Sequence, residues 1–65
     1  MTTNELIEDL RVFRVAAGLT QRELAHDMGV PYRTLQDWLG GKKTPSAAAQ
    51  STIRTYLFWE RNKNA

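Results

Sequence analysis

Arg33, Gln36 and Asp37 lie within one short stretch, and their side chains carry hydrogen-bonding patterns that match nucleobase edges. Arginine donates a pair of hydrogen bonds to guanine O6 and N7. Glutamine pairs with adenine N6 and N7, and aspartate accepts from cytosine N4. Tyr32, just before them, is split between packing and a contact to a thymine methyl or a phosphate. The bland alternative is that Arg33 and Asp37, four residues apart, form a surface ion pair in the less favourable order. Other chemistries have little to work with. The chain has no cysteine, which excludes disulfides and thiolate metal sites, and its lone histidine, His26, is too little for a zinc cage. His26 reads as an ordinary surface residue among polar neighbours. No nucleophile–base set stands out, so no enzyme activity, cofactor or metal is expected. With only 65 residues, the chain also has too little wall for a typical ligand cleft, so no small-molecule ligand is expected either.

The charge is placed unevenly along the chain. Residues 1–31 hold three arginines against five carboxylates (−2), and residues 32–65 hold six cations against two carboxylates (+4). One end can therefore face a polyanion while the other points away, although ordinary surface charge gives the same tally. Apolar runs are far shorter than the roughly 20 residues that span a bilayer. The acidic start MTTNELIEDL lacks the basic and apolar regions of a secretory leader. The chain reads as one soluble, intracellular domain over residues 1–65.

Turn and capping signals divide this domain into four helices. The first is expected over Thr3–Ala17, with Thr2 and Glu5 at capping-box spacing, Leu6, Leu10, Phe13 and Ala17 as an inward stripe beside Ile7, and Gly18 as the stop. The second runs over Gln21–Met28, opened by the box Thr20–Glu23 and closed by Gly29. The third runs from Pro31 to Leu39 and ends at Gly40 and Gly41. The fourth starts near Thr44–Ser46 and continues to Arg61, with Ile53, Tyr56 and Leu57 facing inward and Asn62 to Ala65 fraying. On the third helix, with Leu35 at 0°, Trp38 and Leu39 fall within about 60° of the core direction. Arg33 and Asp37 come out near 160° and 200°, facing outward, with Gln36 near 100° and Tyr32 near 60°.

The second and third helices, joined by a short glycine-containing turn, have the layout of a helix-turn-helix over about residues 20–40. Ala25 is small where the helices must cross closely. Gly29 suits a turn that needs positive φ, and Leu24, Met28, Val30, Leu35 and Trp38 fill the apolar positions between them. The stretch GLTQRELAHDMGV (18–30) resembles the helix-turn-helix domain of the Cro/C1 phage-repressor family, also called XRE-like. RTLQDW (33–38) and GKKTPS (41–46) are similar to that family's recognition helix and following loop. The resemblance covers roughly residues 6–58. It implies an all-α, lambda-repressor-like domain of four helices where five are usual, a shorter form found in Cro-like proteins and small antitoxin-type repressors. It also implies a double-stranded DNA operator as partner, in a bacterial or phage-infected cell. One departure stands out. Such families pair an arginine of the first helix with an acid after the recognition helix's last core residue, and here Arg14 meets Leu39. That leaves Arg14 free, paired with another acid, or on a phosphate.

Two further surfaces are expected. The start of the second helix, with Thr20, Gln21 and Arg22, offers free amides and a positive dipole end to phosphate. The loop residues Lys42, Lys43 and Thr44 offer a second phosphate cluster, which positions the domain without reading sequence. Phe58 and Trp59 add two large rings outside the core stripe of the fourth helix, marking a homodimer interface unless one of them closes the core against the first helix. The expected function is a sequence-specific, Cro-like repressor on a two-fold operator. The alternatives are an antitoxin-type repressor with a toxin partner, or a protein-interaction module of the same shape.

Overall fold

The computed structural model describes residues 2–63 and is built from helices alone among them: α1 (Thr3–Ala17), α2 (Gln21–Met28), α3 (Tyr32–Leu39) and α4 (Ala47–Asn62). The local chemistry explains the boundaries. Thr2 Oγ1 accepts from the Glu5 amide at 3.2 Å, and the Glu5 carboxylate accepts from the Thr2 amide at 3.1 Å. Thr20 and Glu23 repeat the exchange at 3.1 and 2.8 Å. Each box satisfies amides that the first turn leaves without intrahelical acceptors. At the turn after α2, Gly29 has φ +74°, and Val30 donates back to the Ala25 carbonyl at 3.0 Å. This left-handed closure suits glycine and swings the chain sharply into α3.

Pro31 is the N-cap of α3 rather than its first residue, because its ψ of 140° is extended. Ser46 caps α4, its hydroxyl accepting from the Ala49 amide at 3.2 Å, so the helix begins just after the expected Thr44–Ser46 signal. α4 continues to Asn62. Fraying was expected over 62–65, of which positions 64 and 65 lie outside the described residues.

The core gathers one apolar stripe from each helix: Leu6 and Leu10 of α1, Leu24 of α2, Leu35 of α3 and Ile53 of α4 are essentially sealed from solvent. Each such side chain contributes about 1.5–3 kcal/mol relative to an exposed one. α1 packs chiefly on α4 and α2 on α3, and α3 also touches α1. Phe13 meets Tyr56 edge-to-face at 5.6 Å, closing the far end of the α1–α4 contact. Ala17, expected at the end of the inward stripe, is exposed, because the core ends near Phe13 and the last turn of α1 runs beyond it. This packing leaves the outer faces of α2 and α3 exposed.

Candidate nucleic-acid interface

Arg33 and Gln36 project from the exposed side of α3. Leu35, Trp38 and Leu39 on the opposite side anchor the helix, so the outward pair sits on a fixed backbone. Tyr32 is half-buried at the start of α3, its ring packed against the core and covered by the Arg22 guanidinium, whose carbon lies 4.3 Å from the ring centroid. Gln36 Nε2 donates to the Tyr32 hydroxyl oxygen at 3.0 Å. Arg22 of α2, Tyr32 and Gln36 thus form a continuous surface chain that crosses from one helix to the next.

Asp37 departs from the expected outward position: it is only 9% exposed. The helical-wheel angle was sound for an isolated helix, but the loop after α3 folds back over its last turn. The amides of Lys42 and Lys43 donate to the Asp37 carbonyl at 2.9 and 3.2 Å, and Lys43 Nζ lies 3.7 Å from its carboxylate. The Asp37 main-chain carbonyl therefore anchors the returning loop, and its carboxylate lies beside Lys43, not in an ion pair with Arg33.

The structure brings several expected residues around one groove of about 550 Å³, lined by Arg11, Arg14, Gln21, Arg33, Gln36 and Lys42 among others. Four of these six are cationic, against the single, largely covered carboxylate of Asp37, so the groove attracts anions. Thr20 is exposed at the head of α2, its hydroxyl occupied by the Glu23 amide. Helix geometry leaves the Gln21 and Arg22 amides without intrahelical acceptors. The Glu23 carboxyl is held below its usual range by its hydrogen bonds to the Thr20 backbone and side chain, so it remains ionised within the capping box. Lys43 and Thr44 line a separate small cleft against the start of α1. Phe58 and Trp59 lie on α4, 60% and 64% exposed, in edge-to-face contact with each other at 5.8 Å. Neither closes the core of the chain.

Arg11 was not singled out in the sequence. Its Nη2 donates to the Leu39 carbonyl and its Nη1 to the Glu8 carboxylate, the latter at 2.9 Å. A cation at the C-terminal end of α3 opposes the negative end of the helix dipole. With leucine at position 39 there is no carboxylate to bind there, and the main-chain oxygen serves as acceptor. Arg14 instead donates to the Leu19 carbonyl at 2.9 Å, bracing the α1–α2 turn, while its Nε is buried without a partner.

A short α2, a glycine turn and an anchored α3 with a polar outer face define a helix-turn-helix DNA-binding domain. The sequence pattern of the Helix-turn-helix family, Cro/C1 (XRE-like) type, matches residues 10–49. The chain belongs to this family of DNA-binding regulators. No curated protein and no solved structure matches the chain. None of its described helices is long and apolar enough to cross a membrane.

Proposed function

We propose that the chain is a Cro-like transcriptional repressor that binds a two-fold operator as a homodimer and occludes polymerase. α3 lies in the major groove, where Arg33 pairs with a guanine and Gln36 with an adenine, and Tyr32 supports them at the rim. Thr20, Gln21 and Arg22 meet one stretch of phosphate, and Lys42, Lys43 and Thr44 meet another. Asp37, covered by the loop that its main-chain carbonyl anchors, makes no base contact. The observation that carries this reading is the exposure of Arg33 and Gln36 on a helix whose other side is sealed into the core, beside a groove rich in cations.

Dimerisation is assigned to the C-terminal half of α4, on the strength of the adjacent exposed rings of Phe58 and Trp59. Two-fold pairing sets recognition helices about 34 Å apart, one turn of DNA. The test is selection of bound sites from random duplex DNA, with affinity followed against salt. A palindromic site and a steep negative slope of log K against log salt support the reading. Weak, salt-insensitive binding to every duplex sinks it and favours the protein-interaction module.

A further inference from the structure

We infer that Tyr32 is a positioning residue that holds the Gln36 amide in place for its base contact, with Arg22 holding Tyr32 in place. The inference rests on the reading that α3 faces duplex DNA.

Glutamine has a flexible side chain whose amide can present either a donor–acceptor pair or donors alone, depending on which way it is turned. On an exposed helix surface nothing local chooses between them. Here Gln36 Nε2 donates to the Tyr32 hydroxyl oxygen at 3.0 Å, one helical turn away. With one N–H committed, the amide offers its second N–H and Oε1. That pair complements adenine N7 and N6–H, whereas an amide turned the other way offers donors suited to guanine.

A phenolic hydroxyl both donates and accepts, so what the tyrosine fixes is the place of the amide, and it does this only if its own ring is fixed. The inner side of the ring packs on the core and its outer side carries the Arg22 guanidinium 4.3 Å from the centroid. A cation over an aromatic face is attracted by the ring's quadrupole. The guanidinium retains its in-plane donors for phosphate while it stacks. A backbone-facing residue of α2 is thereby linked through one aromatic ring to a base-facing residue of α3. Replacing tyrosine by phenylalanine keeps the ring, the stack and the packing, and removes only the hydroxyl that Gln36 bonds.

The experiment is site selection from random duplex pools with the full chain, its Tyr32→Phe variant, Gln36→Ala and the double variant, with melting temperature recorded for each. The wild type is expected to favour adenine at one position of each half-site. Tyr32→Phe lowers that preference about 3- to 10-fold, as expected for one lost orienting hydrogen bond, with the guanine preference assigned to Arg33 intact and melting close to wild type. In the Gln36→Ala background the second substitution changes base preference no further, because the two residues act through one interaction. The inference is overturned if Tyr32→Phe leaves the adenine preference untouched, if it weakens all positions evenly, or if the wild-type position selects guanine. Absence of salt-dependent duplex binding by the wild type is a separate result that removes the DNA reading and this inference together.

Discussion

Tyr56 of α4 donates its hydroxyl hydrogen to the Asp27 carboxylate of α2 across 2.6 Å. Most packing runs between α1 and α4 and between α2 and α3, so this bond is a polar cross-tie from the helix-turn-helix unit to the helix that bears Phe58 and Trp59. It ties the α2–α3 unit, proposed to face DNA, to the helix that bears the proposed dimer surface.

That tie is expected to make stability fall in alkali. Burial, the hydrogen bond to Asp27, and the Asp27 and Glu60 carboxylates all raise the Tyr56 phenol above its ordinary value. A raised folded-state value means the contribution is fully present below the unfolded phenol's pKa of about 10 and is lost as pH rises beyond it. Thermal unfolding followed from pH 7 to 11 is expected to show this loss. Tyr56→Phe should remove the contribution of Tyr56 to that slope and cost about 0.5–1.5 kcal/mol at neutral pH. An unchanged alkaline profile in the variant would exclude the tie as its source.

The acid limb has the opposite sign. Glu5 and Glu23 are held below their ordinary values by hydrogen bonds to Thr2 and Thr20 respectively. Their contribution is therefore present above the unfolded carboxylate value, about 4.3, and is lost as pH falls through the lower folded value. Glu23→Gln should flatten the acid limb of a denaturation profile. Thr20→Ala should lower stability by about 0.5–2 kcal/mol at neutral pH. Equal acid sensitivity in wild type and Glu23→Gln would show that the box contributes nothing through charge.

How much of this was legible in the residues differs between local and distant effects. Thr2–Glu5, Thr20–Glu23, Gly18 and Gly29 act over three or four positions, and they marked the ends of α1 and α2 as found. The exposure of Arg33 followed from the periodicity of α3, since Leu35, Trp38 and Leu39 had to face inward, whereas Gln36, near 100° and so at the flank of the helix, is exposed as well. Asp37 lies on the same helix, yet its environment depends on a loop that returns over it, which an angular plot of α3 alone does not contain. The Arg11 bond to the Leu39 carbonyl spans 28 positions and ends on the main chain, so no side-chain pairing rule points to it. The Arg22–Tyr32 stack also needs both helices in place before the two residues meet.

Lys42 and Lys43 should differ as phosphate contacts. Lys42 lines the cationic groove, whereas Lys43 lies 3.7 Å from the Asp37 carboxylate and beside the neighbouring cleft. Replacing both with alanine is expected to weaken binding to all sequences alike and to flatten the salt slope by up to about two units, at roughly 0.9 per lost contact. Lys42→Ala alone should account for the larger share. An altered base preference with an intact slope would contradict phosphate contact.

Trp59 is 64% exposed, so Trp59→Ala should leave the folded monomer nearly intact. A ring of this kind can bury roughly 150–250 Å² against a partner. Sedimentation equilibrium is expected to show a lower dimer fraction for the variant, with circular dichroism close to wild type and weaker operator binding. A wild-type chain that stays monomeric at high micromolar concentration would remove Phe58 and Trp59 from the proposed interface.

The most direct test of base reading by α3 is the affinity of Arg33→Ala for its selected site and for random duplex DNA, measured side by side. Arg33 is exposed on α3 at the rim of the cationic groove. The variant should lose about 1–3 kcal/mol on the selected site and little on random DNA, and its preference at one base position should relax. Equal weakening on both DNAs would make Arg33 a phosphate contact, and unchanged affinity would take it out of the interface; either result contradicts sequence reading through this residue.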